Sequence, residues 1–449
     1  MSPSFACIFF RVLLSITGTW YAQTWFAFSD EAHMSTLLST EELLIEKLLA
    51  HLRAEGYSLR IQRWYPAHVR QFLEYCDRNG LPIESAYSTH VTRFLQEQYR
   101  LSLKRNATLP PFHKWRHRYT GAINMMLRLV HGAWPVHDPP NTALEVFHRN
   151  IVQEYDTWLR DLRGLHPLTR AKRTKHALQF LTSLGQRADQ QELTGLSVQD
   201  LDAYLKQCCS GLRRISIEER TVCLRDFLRH LWRTGRTAID LTGTVIGPHI
   251  YEHEDIPVAL RAADVQRVLD VTRKDHSHVG LRDYAILILL STYGLRAAEV
   301  VNLRLEDIDW RREVLRVRHS KTGTYSELPL LREPGEAVLR YVEKARPSSG
   351  YREVFLRIQV PHRPFKNGSI LNCITAARLR AAGVAPQGRK GPHAFRHARA
   401  VSLLRSGVPL KIIGDVLGHR SVVATAEYLK LAIEDLRAIG LDLPGGILP

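Results

Sequence analysis

The chain has 449 residues, which at roughly 100–200 residues per domain points to two to four domains, three being central. Lys and Arg number 62 against 45 Asp and Glu, a net charge of +17 with a sequence pI of about 9.8, and such a surplus favours a polyanionic partner, nucleic acid first. Hydrophobic residues at 45% and charged residues at 24% exclude a chain that is mainly disordered, collagen-like or a many-span membrane protein.

Residues Phe5 to Phe28 are apolar and aromatic, but Arg11 splits the run and no small-x-small cleavage site follows, so neither a secretory signal nor a membrane anchor fits. Translation is expected to begin at Met34, with residues 1–33 a doubtful extension. Ser39-Thr40-Glu41-Glu42 has capping-box spacing and opens a helix with Leu43, Leu44, Leu48, Leu49 and Leu52 at apolar positions. The six cysteines Cys7, Cys76, Cys208, Cys209, Cys223 and Cys373 show no C-x-x-C pair, which predicts a reducing compartment without disulfides or a structural zinc site.

Helical patterns fill Ser39 to Trp134, where the Pro-rich Pro135-Val136-His137-Asp138-Pro139-Pro140 interrupts them, and return from Leu144 to Gly235. The two regions look like copies of one unit. Gly56-Tyr57-Ser58 and His68-Val69-Arg70-Gln71-Phe72-Leu73 align without gaps on Gly164-Leu165-His166 and His176-Ala177-Leu178-Gln179-Phe180-Leu181, an offset of 108 residues. In the second copy Leu168, Ala171, Leu178 and Leu181 read as the apolar face, with Arg170, Lys172, Arg173 and Lys175 on the other sides. The first copy carries Arg60, Arg63 and Arg70 beside Trp64 and Tyr65. Two basic helices in a basic chain favour phosphate contact over a merely solvated surface. Arg236 to Pro257, with Gly243, Gly247, Pro248, Glu252, Glu254 and Asp255, reads as a linker.

In the C-terminal half, helix signals span Ala262 to Val271 and Leu281 to Thr292, the latter with the apolar run Tyr284 to Leu290 of a buried helix. Arg296 and Glu299 follow, three residues apart; on a helix they share a face, and the pair reads either as a routine ion pair or as a held guanidinium. Ile308 to Leu330 predicts a β-hairpin with Lys321 near its tip, a soluble turn residue or a mobile cation. Pro392 opens a helix carrying His393, Arg396 and His397. His393 and His397 have metal-ligand spacing, but no Glu or Cys completes a zinc pattern. Leu417-Gly418-His419 ends the next helix, with Gly418 allowing the turn, and Ser421 begins another that carries Tyr428.

Gly294-Leu295-Arg296 with Glu299, Lys321, His393-x-x-Arg396, Leu417-Gly418-His419 and Tyr428 together resemble the catalytic set of the tyrosine recombinase (phage integrase) family, in order and approximate spacing. The resemblance is close over Ile256 to Leu436. Leu429 and Lys430 depart from it, because many members have a threonine and a histidine after the tyrosine. It implies a mainly α, multi-domain protein with a small antiparallel β-sheet: an N-terminal helical module (34–135), a core-binding, SAM-like DNA-binding domain (144–240) and a catalytic domain (256–440).

It further implies a DNA strand-transferase in which Arg296, Arg396, His393 and His419 neutralise the scissile phosphate, with Glu299 in support. His393 would help take the proton of Tyr428, the nucleophile that forms a 3′-phosphotyrosine, and Lys321 would protonate the departing 5′ oxygen. The implied partners are double-stranded DNA recombination sites and further copies of the chain, four on two duplexes, with Ala432 to Ile439 a candidate exchanged segment. No metal, ATP, other cofactor or membrane enters, and a cytoplasmic location and mobile-element integration or excision are expected. A DNA-binding relative without catalysis and a type IB topoisomerase-like enzyme are the alternatives.

Overall fold

A computed structural model describes residues 40–106, 108–136, 138–189, 192–250, 259–319, 323–386 and 390–418. The Phe5–Phe28 stretch, Met34, Ser39, the acidic Glu252, Glu254 and Asp255, Lys321, His419, Ser421, Tyr428 and Ala432–Ile439 lie outside the described residues. The chain divides into two compact units: one comprises the chain through Asp138 with Arg267–Ala382, the other Pro139–Gln266 with the chain from Gly383 onward. The fold is mainly α with one three-stranded antiparallel sheet among the described residues.

In the first unit, α1 (Thr40–Ala54), α2 (Leu59–Arg78), α3 (Ser88–Arg105) and α4 (His117–His131) enclose a core of Leu48, Leu52, Phe72, Phe94, Ile123 and Leu127. α2 buries Val69, Phe72, Leu73 and Cys76, which recur every three or four residues, and leaves Arg60, Arg63 and Arg70 exposed on the opposite side.

The second module, in the other unit, has α5 (Ala143–Asp161), α6 (Pro167–Leu184), α7 (Val198–Cys209) and α8 (Arg214–Arg233). Its likeness to the first extends to packing. Gly56 and Gly164 turn the chain at φ +74° and +56°. Phe72 meets Phe94 edge-on at 5.2 Å, and the aligned Phe180 meets Tyr204 edge-on at 5.0 Å. The described cysteines are free thiols.

Two details of the second module differ from the sequence reading. The buried face of α6 is Ala177, Phe180 and Leu181, while Leu168 and Leu178 are exposed; the helix is rotated so that Arg173 turns inward and ion-pairs with the buried Asp226 of α8. The module also runs further than the expected linker boundary. Leu241 and Val245, four residues apart, are buried in its core, and Arg225 Nε donates to the Val245 carbonyl at 3.0 Å.

The remaining part of the first unit contains α9 (His278–Tyr293), α10 (Ala297–Val301), the strands β1 (Ile308–Asp309), β2 (Val314–Arg318) and β3 (Tyr325–Pro329), then α11 (Arg332–Lys344) and α12 (Ile370–Ala381). The α9 run from Tyr284 to Leu290 is buried, as its continuous apolar pattern predicts. The strands pair in the order β1-β2-β3, with Val317 opposite Ser326 and Arg318 opposite Tyr325. On β2, Leu315 and Val317 face inward and Arg316 and Arg318 outward. In the second unit, α13 (Pro392–Arg405) and α14 (Leu410–Leu417) pack through Ala400, Val401, Ile413 and Leu417.

The ring of His230 on α8 is enclosed by Tyr155, Trp158 and Phe227, with neither nitrogen hydrogen-bonded, and burial pushes its pKa down to about 4. Between the unfolded value near 6.5 and the folded one, the unfolded chain takes up a proton that the folded chain refuses. Stability therefore falls as the pH drops through that window, by an amount on the order of 3 kcal/mol. Thermal melts at pH 7 and pH 4.5 are expected to show a larger acid-induced loss for the natural chain than for His230→Phe, which keeps the ring and cannot be protonated.

Candidate active site

α9 ends at Gly294, whose φ of +66° reverses the chain. Leu295 is buried, and Arg296 then stands at the N-cap of α10 with extended backbone, φ −74° and ψ 150°. The Arg296–Glu299 pair forms, but not across one helix face as the three-residue spacing suggested. Glu299 is the third residue of α10 and folds back over its start: Arg296 N–H donates to Oε2 at 2.7 Å and Arg296 Nη1 to Oε1 at 2.8 Å. One carboxylate thus caps the helix and orients the guanidinium.

Glu299 is only 4% exposed. Burial pushes its carboxyl pKa up, but the Arg296 N–H, His319 and the Arg296 guanidinium outweigh burial and hold it below the usual carboxylate range. The His319 contact, Nδ1 to Oε1 at 3.0 Å, comes from the residue after β2 and was not singled out in the sequence.

Two further residues that place Arg296 also escaped the sequence reading. A Cβ on Gly368 would stand 2.9 Å from the backbone of Ala297 and Ala298, so this glycine is what lets its loop approach the start of α10. The Tyr293 hydroxyl donates to the Pro329 carbonyl at 2.9 Å and accepts the Leu331 N–H at 2.9 Å, clipping the end of α9 to the end of β3. Only the glycine, just before a helix and flanked by polar residues, carries a local signal in the sequence.

In the second unit, Pro392 occupies the first turn of α13. His393 is exposed, and Arg396, one turn on, is 3% exposed. Arg396 Nη2 donates at 2.6 Å to the carbonyl of Leu417, the last residue of α14, where an otherwise unsatisfied helix-end carbonyl and the negative end of the dipole both favour a guanidinium. Gly418 follows at φ +63°. The His393 and His397 rings are 6.3 Å apart, and among the described residues no group of three His, Cys, Asp or Glu side chains could hold a metal ion.

Arg296 and Glu299 are thus brought together in the first unit, and His393 and Arg396 lie on one helix of the second. Lys321, His419 and Tyr428 lie outside the described residues. Of the α6 cations, Arg170 pairs with Asp156 at 3.1 Å and Arg173 with Asp226, which also receives Arg163 Nη1 at 3.0 Å and the Tyr155 hydroxyl at 3.3 Å. Lys172 pairs with Glu219 at the surface, and Lys175 is exposed. On α2 the Arg60 guanidinium lies 4.7 Å from the centroid of the half-exposed Trp64 ring. Residues 40–136 carry 14 Lys and Arg against 8 Asp and Glu, so this module shares the chain's basic character. Among the described residues no helix is long and apolar enough to cross a membrane.

Replacing Glu299 by Gln leaves the Arg296 charge without its counter-ion in a half-buried place, and a loss of about 3 kcal/mol in urea unfolding is expected. Gly368→Ala is expected to cost about 1–3 kcal/mol, because its methyl meets backbone rather than a movable side chain.

The phage integrase family model matches residues 259–434. The integrase/recombinase y4gC of Sinorhizobium fredii is 54% identical over 190 residues, covering 42% of this chain and 97% of that protein. The tyrosine recombinase XerC of Staphylococcus carnosus is 26% identical over 257 residues, covering 56% of this chain and 83% of that protein. Among solved structures, a lambda integrase dimer bound to a COC' core site is 18% identical with a TM-score of 0.50, covering 74% of this chain and 89% of that chain, a likeness of fold. With 54% identity in an alignment that takes in 97% of y4gC, and with an integrase domain that includes Arg296, His393 and Arg396, the chain belongs to the phage integrase family of site-specific tyrosine recombinases.

Proposed function

We propose that the chain cuts and rejoins DNA at a specific site through Tyr428, to integrate or excise a mobile element. The observation that carries this reading is Arg296, a guanidinium fixed by a buried and ionised carboxylate at the position that the family motif gives to phosphate recognition. Attack on a phosphodiester builds negative charge on the nonbridging oxygens, and donors already oriented for that charge lower the barrier without reorganising. A planar guanidinium can bond two such oxygens and stays charged at any relevant pH.

In the proposed reaction Arg296 and Arg396 hold the phosphate, with His393 and His419 as further donors. The Tyr428 oxygen forms a bond to phosphorus as its proton leaves, with help from His393. The P–O5′ bond breaks, and Lys321 gives a proton to the 5′ oxygen. A 3′-phosphotyrosine and a 5′ hydroxyl result. Because one phosphodiester is exchanged for another, a second 5′ hydroxyl can displace the tyrosine, and neither metal nor ATP is required. Four copies on two duplexes would carry out the exchange, with Ala432–Ile439 passing between neighbours, in the cytoplasm where the chromosome is reached.

Backbone contact is proposed for Lys172 and Lys175 of α6 and for Arg60, Arg63 and Arg70 of α2, with Arg170 and Arg173 fixing the α6 face through their internal ion pairs. A weak surface pair such as Lys172–Glu219 is readily exchanged for a phosphate contact.

On a nicked suicide duplex, Tyr428→Phe is expected to bind DNA as the natural chain does and to trap no covalent complex; an adduct with the phenylalanine variant would refute the nucleophile. Arg296→Lys is expected to slow adduct formation by about 10²-fold or more. Lys175→Ala should weaken binding evenly across sequences and lower the salt slope of log K by about 1. Strand exchange between two marked duplexes, set against relaxation of supercoils, separates a recombinase from a topoisomerase.

A further inference from the structure

The inward face of β2 continues past Leu315 and Val317 to position 319, where the sequence has histidine in place of another aliphatic residue. His319 is 3% exposed, and each of its polar groups is used. Nδ1 contacts Glu299 Oε1 at 3.0 Å and Nε2 contacts Ser326 Oγ on β3 at 2.8 Å. Its backbone N–H donates to the Thr324 carbonyl at 2.8 Å, and its carbonyl accepts the Gly323 N–H at 2.8 Å. The second pair closes the base of the turn between β2 and β3, the turn whose sequence contains Lys321.

The Glu299 contact fixes one ring proton. An ionised Glu299 can only accept, so Nδ1 carries a proton and donates to it, and Nε2 meets the Ser326 hydroxyl. The oxygen that receives Nδ1–H is the one that receives Arg296 Nη1. A continuous path therefore runs from the Arg296 guanidinium through Glu299 Oε1 and the imidazole to Ser326. Filling the space alone would need only an aliphatic side chain, as at Leu315 and Val317; two oppositely directed hydrogen bonds need an imidazole.

We propose that His319 is a positioning residue that couples the orientation of Arg296 to the register of the β2–β3 hairpin, so that the phosphate-holding cation is set by a buried ring bridging Glu299 and Ser326. The inference rests on the reading above, in which Arg296 holds the scissile phosphodiester. A group held within a fraction of an ångström matters because a misplacement of about 1 Å can cost roughly 10²-fold in rate.

The test is single-turnover covalent cleavage of a suicide duplex by the full chain, with DNA affinity and melting temperature measured beside it. His319→Leu removes both ring contacts, His319→Asn keeps a donor near the Nδ1 position for Glu299, and Ser326→Ala cuts the path at its far end with little risk to folding. Cleavage is expected to fall about 10²-fold in His319→Leu and about 3- to 10-fold in His319→Asn and Ser326→Ala, with DNA affinity within about twofold throughout. A duplex with sulfur in place of the scissile 5′ oxygen separates a phosphate-holding defect from a leaving-group defect, because a thiolate leaves without a proton. A defect at Arg296 persists on it, so His319→Leu is expected to stay slow.

Natural rates in both His319→Leu and Ser326→Ala overturn the proposal. So does full restoration by sulfur, and so does a loss of cleavage that only follows a loss of melting temperature and DNA affinity across the series. Tyr428→Phe and Arg296→Ala serve as controls: an undiminished adduct in either refutes the underlying reading of the site, independently of His319.

Discussion

A carboxylate buried at the start of a five-residue helix organises the described part of the site. Glu299 accepts a backbone N–H, a guanidinium and an imidazole, and these three come from separate needs: capping α10, orienting Arg296 and fixing the end of β2. Burying a charge with so little water is unfavourable unless its lone pairs are filled. The carboxylate consequently enforces its own surroundings, since losing any one donor leaves the other two around an under-satisfied anion. Geometry at Arg296 is fixed by that demand rather than by the short helix, which is too brief to be stable alone.

The basic surplus divides along similar lines. Some cations serve the protein itself: Arg173 and Arg163 converge on the buried Asp226, Arg378 bridges Asp275 and Asp283 at 2.7 and 2.8 Å, and Arg396 closes the end of α14. Others stand on exposed helix faces, among them Arg60, Arg63, Arg70 and Lys175. The net charge is therefore an imperfect measure of what DNA would meet. An arginine held by an internal carboxylate adds shape and rigidity to a binding face, and an exposed lysine adds screened attraction.

Features with a local cause were legible in the sequence. The apolar run from Tyr284 to Leu290 announced a buried helix, alternation in Leu315 and Val317 announced a strand, and Gly418 announced a helix end, because periodicity and backbone freedom are properties of a few consecutive residues. The family motif located Arg296 and Arg396 on the same grounds. Sequence spacing failed where a distant partner decides the outcome. Asp226 lies 53 residues beyond Arg173 and rotates α6 toward itself; His319 reads as one more polar turn residue until Glu299 and Ser326 are seen on either side; Leu241 and Val245 look like linker because the core that they enter is built from helices far back in the chain. Arg296 and Glu299 were recognised as a pair, but three-residue spacing cannot distinguish a shared helix face from a cap folding back.

The β2–β3 hairpin is secured at two separate places. Near its turn, the His319 ring joins Ser326 to Glu299; at its far end, the Tyr293 hydroxyl grips both Pro329 and Leu331. In mechanical terms the hairpin is a beam pinned at both ends to the segment that delivers Arg296. A hairpin held at one point could slide by two residues and still present an apolar face inward, since that shift preserves the alternation. Here the same slip would pull both pins at once. The register of this strand pair and the orientation of Arg296 are thus tied together, and a chain with the wrong register is also a chain without an oriented Arg296.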